Sequence, residues 1–131
     1  MAVKIINLDQ IEPTVLPGRN VQWLVTTGTI GAQKISANIM TCPKNSAVTC
    51  SHSHTDVEEV LFILKGEGQA WVDGEIGRFK KGDAVFFPAN SKHQVKNTGD
   101  FDLVALCIFS APDAVSSYVN HDYDAFSNEP K

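Results

Sequence analysis

Residues 50–60 read CSHSHTDVEEV, and the histidines at 52 and 54 raise the first question about this chain. A strand turns successive side chains to opposite faces, so His52 and His54 project the same way and their ring nitrogens can converge on one ion. The same parity carries Cys50 toward that ion, as a small residue beside the ligands or as a thiolate ligand itself. An HxH pair also has an ordinary reading, two polar residues on the solvent face of an edge strand. Glu58 and Glu59 then introduce the apolar run EVLFILK, and either could add a carboxylate. Leu61 and Ile63 follow Glu59 while Val60 and Phe62 follow Glu58; both faces are apolar, so alternation does not choose between the two glutamates.

Outward from this stretch, the chain is a series of short apolar or alternating segments broken by Gly, Pro and Asn. VKIINL, VQWLVT, KISANIMTC, AVTCSHS, EVLFILK, GQAWVDG, EIGRF, DAVFFP, KHQVKN and DLVALCIFS read as strands. Asp73-Gly74 between two of them suits a primed hairpin turn. No internal segment holds a helical period for three turns, so the pattern predicts an all-β sandwich or a closed or nearly closed antiparallel barrel. Ala111 to Val119 is expected to form one or two helical turns, within a tail of about 111–131 that wraps the domain loosely. The two apolar faces of EVLFILK both need cover, one from the interior and the other from a second sheet or a partner subunit.

The 131 residues suffice for one domain with a sizeable core, and residues 1–131 read as that single domain. A net charge of -4, with arginine only at Arg19 and Arg78, argues against a nucleic-acid partner. Three cysteines without a CxxC pair read as free thiols. MAVKIINLDQ lacks the apolar core of a signal peptide, and no apolar run is long enough to span a bilayer as a helix. The expectation is a cytoplasmic protein with no membrane partner. There is no phosphate-cradling glycine loop before a helix and no serine nucleophile elbow.

A third histidine, His93, follows a Gly-Asp turn and a proline downstream of the HxH strand. Together these residues resemble the two motifs of the cupin superfamily. In the first, His52-Ser53-His54 is followed by Thr55 to Glu58, then Glu59, then Val60 to Lys65 and Gly66; the family's early glycine is replaced by Ser46. In the second, Gly82, Pro88, His93 and Asn97 match, and Asn90 stands where a second glycine is usual. Asparagine tolerates the left-handed conformation such a glycine supplies. The family spacing selects Glu59 over Glu58, which is then expected to meet solvent at the barrel mouth.

The resemblance implies a double-stranded β-helix, or jelly-roll barrel. It also implies one divalent transition metal per chain, manganese, iron, nickel or zinc, on His52, His54, Glu59 and His93. Three neutral imidazoles and one carboxylate around a divalent ion leave a net positive site, and an octahedral ion would keep open positions for a chelating substrate. Trp71, Phe62, Phe87 and Phe109 are candidates to line an organic-ligand cavity, although strand aromatics are often core. Arg19 and Trp23, in GRNVQWLV, could cap the mouth, with Arg19 as a carboxylate clamp. His121, in the tail, could fold over the pocket as acid or base beside Glu59. The leading expectation is a metal-dependent enzyme acting on a small oxygen-rich or conjugated substrate, by isomerase, cyclase, lyase or dioxygenase chemistry. The competing expectation is a non-enzymatic metal-dependent binding or sensor protein. Homodimerisation through edge strands, with an amino-terminal extension over about 1–20, is also expected.

Overall fold

Period-two burial organises the strands over residues 36–42, 59–65 and 103–109. In the computed structural model, which describes residues 2–127, the strands are β1 (Thr14–Leu16), β2 (Arg19–Val25), β3 (Ser36–Cys42), β4 (His52–His54), β5 (Glu59–Lys65), β6 (Glu67–Val72), β7 (Glu75–Lys80), β8 (Ala84–Phe87), β9 (His93–Asn97), β10 (Leu103–Phe109) and β11 (Tyr118–Asn120). A six-stranded antiparallel sheet runs β1-β2-β3-β10-β5-β8, and a five-stranded sheet runs β11-β4-β9-β6-β7. This is the jelly-roll arrangement, with the two sheets facing each other rather than joined into a closed barrel.

The inner face of the larger sheet is set by alternation. Leu61 and Ile63 of β5, Leu103, Ala105 and Cys107 of β10, and Met40 and Cys42 of β3 are all buried. Each fully buried aliphatic side chain among them contributes roughly 1.5–3 kcal/mol over an exposed one. Glu59, Phe109 and Ser36 lie in one row across this sheet, and Leu61, Cys107 and Asn38 lie in the next. The inner face therefore carries polar residues at one end of an otherwise apolar surface.

Turn chemistry fixes the register. Asp73 and Gly74 take φ of 45° and 98°, both left-handed as a primed turn demands, and close Val72 onto Glu75. Asn90 takes φ of 67°, the conformation of the glycine it replaces, and its Oδ1 accepts from Asp56 N–H at 2.9 Å. Asn97 is 3 % exposed; its Nδ2 donates to the carbonyls of Cys42 and Phe101 at 3.0 and 2.8 Å, tying β9 to the ends of the opposite sheet.

Three expectations are corrected here. VKIINL is not a strand: residues 2–7 have no regular structure, Val3 and Ile5 are about fully accessible at 85 % and 84 %, and the short β1 supplies the only strand before Arg19 among the described residues. Without a neighbouring backbone to pair with, its apolar alternation has nothing to bury against. AVTCSHS narrows to β4, because residues 43–51 form a loop whose one β-bridge among the described residues is Ala47–Lys96. The expected helix over Ala111 to Val119 shrinks to a 3-10 turn, Val115–Ser117, and the chain then extends as β11 against β4.

The tail is also more tightly held than expected. Gln94, fully buried on the outer face of β9, donates to Asp124 Oδ1 at 2.9 Å and accepts from Ala125 N–H at 2.8 Å. The end of the expected tail, residues 128–131, lies outside the described residues. No helix among the described residues is long and apolar enough to cross a membrane.

Candidate metal centre

β4 and β9 are neighbours in the smaller sheet, with His52 directly opposite His93. His54 follows on the same face. Glu59 opens β5 in the facing sheet, opposite Phe87 and Phe109, and projects toward the three imidazoles. All four residues are buried, and one ligand atom from each lies within 4.8 Å of the others.

The tautomers are set from behind. His93 Nδ1 lies 3.0 Å from the Ser91 carbonyl and His52 Nδ1 lies 3.4 Å from the Cys50 carbonyl. Each nitrogen must donate to that oxygen, which leaves the Nε2 lone pair facing inward. Phe87, 1 % exposed, stacks on His93 with ring centroids 4.1 Å apart and planes 5° from parallel. Tyr118 stacks on His52 at 4.7 Å, and Phe109 meets His54 edge-on at 5.1 Å. These rings restrict the planes of the imidazoles.

The donor set fits a divalent transition ion. Glu59 Oε1 sits 3.2 Å from His93 Nε2 and 3.4 Å from His54 Nε2, yet Glu59 Oε1 and His93 Nε2 have no aligned hydrogen-bond partner. Buried polar atoms are seldom left so. Atoms crowded together without aligned hydrogen bonds are arranged as ligands to a shared point would be.

Electrostatics favours the ligand forms. Burial, reinforced by the neighbouring His93, holds the His52 imidazole down at about 3. For Glu59, burial acts to raise the carboxyl, but the proximity and charge of His54 and His93 outweigh it and bring it to about 2. The His52 imidazole and the Glu59 carboxylate are thus both deprotonated at neutral pH, as metal binding requires.

The cluster lies on the wall of a cavity of about 420 Å³, within the range of small-molecule sites. Arg19, Trp23, Phe87 and Phe109 line it, as do Leu61, Val21, Met40 and Val95. The structure places other expected site residues elsewhere. Phe62 is 41 % exposed on the outer face of β5, because Glu59, Leu61 and Ile63 take the inner one. Trp71 is also turned outward, since Gly68 and Ala70 face the interior, and it packs on Tyr123 of the tail at 5.5 Å. Glu58 is exposed, and its N–H donates to Ser110 Oγ at 2.9 Å, outside the cavity.

His121 does not fold over the pocket. Its Nε2 lies 2.8 Å from the hydroxyl of Ser53, whose side chain leaves β4 on the face opposite His52 and His54. The Cys50 side chain is absent from the ligand cluster and from the cavity wall: strand alternation starts only at His52, so parity does not extend back to residue 50. Its contribution is the carbonyl that orients His52.

Several cavity residues were not singled out from sequence: Tyr118, Asn38, Thr49 and Cys107. Asn38 carried a usable signal, because Ser36, Asn38, Met40 and Cys42 alternate on one face of KISANIMTC. Tyr118 did not, since β11 is only the three residues YVN and depends wholly on its pairing with β4.

Two facing antiparallel sheets that close three inward histidines and a glutamate around an apolar cavity define a jelly-roll metal-site protein. The cupin domain family model matches residues 38–109, more than half of the chain, and the chain belongs to that family. It is 23 % identical over 133 residues to the polyketide synthase CurC of Streptomyces cyaneus, across 100 % of this chain and 86 % of that protein. It is 38 % identical over 63 residues to an acireductone dioxygenase of Bacillus mycoides, across 44 % of this chain and 36 % of that enzyme. Among solved structures, an oxalate decarboxylase of Lactobacillus farciminis, a formate complex, superposes with a TM-score of 0.78 at 23 % identity, across 86 % of this chain and 34 % of that one. The chain thus spans about a third of the acireductone dioxygenase and the oxalate decarboxylase.

Proposed function

We propose that the protein is a metal-dependent enzyme whose substrate is a small oxygen-rich or conjugated organic molecule that chelates the metal. The observation that carries this reading is the placement of the four-residue cluster on the wall of an otherwise largely apolar cavity, with the Trp23 and Phe109 rings beside it, 5.4 Å apart and tilted by 39°. The relatives named above span a polyketide synthase and an acireductone dioxygenase, which supports chemistry on carbonyl-rich molecules.

His52, His54, His93 and Glu59 would hold the ion, which is manganese, iron, nickel or zinc in this reading. When bound, such an ion supplies Lewis acidity toward a carbonyl or enediolate and, if it is redox-active, a route to oxygenation. The protein does the rest through position. Phe87, Tyr118 and Phe109 fix the imidazole planes. Glu59 is the only carboxylate among the described residues that lines the cavity, so it would be the side chain to take a proton from a bound ligand once released from the ion. His121 and Glu58, held outside, have no such access.

Turnover of a diketone, catechol and uronate panel by metal-loaded protein tests this reading. Product formation supports it; stoichiometric binding without product would replace it with a binding or sensor protein. The same reading includes a homodimer, formed through the outer face of the larger sheet rather than through an edge strand. Phe62, Leu64, Phe86 and Ile108 are each at least 40 % exposed there, and Val60 pairs with both Phe86 and Ile108 in the register. This patch is uncharged, so two copies related by a two-fold axis would bring no like charges together across it. Three free cysteines fit a reducing, cytoplasmic setting.

A further inference from the structure

The cavity carries a second polar pole besides the histidine cluster. Arg19 is the first residue of β2, is 9 % exposed, and lines the cavity. Its Nη1 donates to the Pro17 carbonyl at 3.1 Å, the same oxygen that accepts from Thr49 N–H at 3.3 Å. Thr49 also lines the cavity and lies three residues before His52, so the guanidinium and the metal cluster share one enclosure. A guanidinium has five N–H donors. One contact to a carbonyl leaves most of them unassigned, and Arg19 forms no ion pair among the described residues. Burying an unpaired charge is costly, and anion binding removes that cost.

A second, independent feature points into the same space. Asn38, 3 % exposed on the inner face of β3, lines the cavity, and its Oδ1 has no hydrogen-bond partner. It stands next to Trp23 on one side and Cys107 on the other in the sheet register. The Arg19 charge is felt at Cys107, where it opposes the rise that burial and Glu59 impose on the thiol. Between Arg19 and Asn38 the wall is apolar, built by Val21 and Met40. An unpartnered oxygen acceptor and an unpaired cation facing an apolar space are complementary to an acid that also carries an O–H or N–H.

Resting on the metal-chelation reading above, we propose that Arg19 is the receptor for a carboxylate on the substrate and that Asn38 Oδ1 accepts a hydrogen bond from a hydroxyl or amine of the same molecule. The substrate class is then an organic monoacid whose metal-chelating oxygens are separate from its carboxylate, joined by an apolar or aromatic body. Arg19 in this role is a specificity-determining residue. A merely structural Arg19 would only pin the turn between β1 and β2 against Thr49 through the Pro17 carbonyl.

Calorimetric titration of the zinc-loaded protein with 3-(3,4,5-trihydroxyphenyl)propanoate and with its neutral amide separates these roles. Both probes carry the same adjacent pair of phenol oxygens for the metal and the same third hydroxyl to donate to Asn38, and differ at the other end in the charge that Arg19 would meet. Wild type is expected to bind the acid at least about tenfold more tightly than the amide. Arg19→Met should bring the ratio to about one at unchanged zinc content, and Arg19→Lys should restore part of it. Asn38→Ala should weaken both probes alike by about five- to tenfold. Equal affinity of wild type for acid and amide, or a preference that survives in Arg19→Met, overturns the Arg19 assignment and leaves chelation standing. Unchanged binding in Asn38→Ala overturns the Asn38 assignment. Failure of both probes to bind zinc-loaded wild type overturns the chelation reading together with this one.

Discussion

His52 makes the metal-free protein acid-sensitive by an amount that can be worked out. Burial first, and the charge of His93 next, lower its folded-state pKa from 6.5 to about 3. Between those values the unfolded chain binds the proton and the folded chain does not, so stability falls as pH falls through that window and is unaffected by His52 above it. A full proton per pH unit is about 1.4 kcal/mol and the uptake is only half complete at each end of the window, which gives about 2 kcal/mol lost between pH 6.5 and 4.5 and about 4 kcal/mol by pH 3. Glu59 adds to the acid loss only below its ordinary value of 4.5, since its folded value is about 2, so the upper window isolates the histidine. Urea unfolding of metal-free wild type and His52→Gln at pH 6.5, 5.5 and 4.5 measures the difference, because groups away from the cluster titrate alike in both. The wild type should lose about 2 kcal/mol more than the variant across that range. Parallel pH dependences would refute the argument that a buried, neutral His52 is built into the fold.

Two further outcomes test neighbouring steps. Phe87→Ala removes a fully buried ring and should destabilise the protein by about 3–5 kcal/mol in urea unfolding, with weaker metal retention because His93 loses the plane it stacks on. Retention of full metal content by a folded Phe87→Ala protein would show that the stacking does not orient the ligand. Phe62→Glu, placed on the outer sheet face, should shift the solution mass from a dimer toward the 14.3 kDa chain while leaving metal content unchanged. A wild type that is already a 14.3 kDa species would remove the dimer from the account.

Much of the site was legible because it lies on short, regular ladders. His52 and His54 share a face by parity, and His93 meets them because β4 and β9 are neighbours. Glu59 was reached through motif spacing, and the structure supplies what alternation alone lacked: with Leu61 and Ile63 inward, the phase of β5 puts Glu59 inside and Phe62 outside. The same missing phase explains Trp71, whose side faces outward because the smaller Gly68 and Ala70 fill the interior. Gly68 has no room there for a side chain, since an added Cβ would come within 2.3 Å of the Lys96 carbonyl oxygen.

What the sequence left illegible depends on contacts far apart in the chain. Tyr118 reaches His52 only because residues 118–120 pair with β4, more than sixty positions away. His121 is turned outward by the same pairing and is taken up by Ser53. Cys50 shows the limit of parity reasoning, because alternation fails where the ladder stops. Arg19 and Trp23 were expected near the mouth and do line the cavity, which follows from their shared inward parity on β2.

The central claim is that His52, His54, Glu59 and His93 hold one metal ion, and elemental analysis of protein purified without added metal tests it most directly. The account predicts about one transition-metal ion per wild-type chain and its loss in both His52→Ala and His93→Ala, with the variants shown to be folded by circular dichroism. Equal metal content in the wild type and in both folded variants would contradict it.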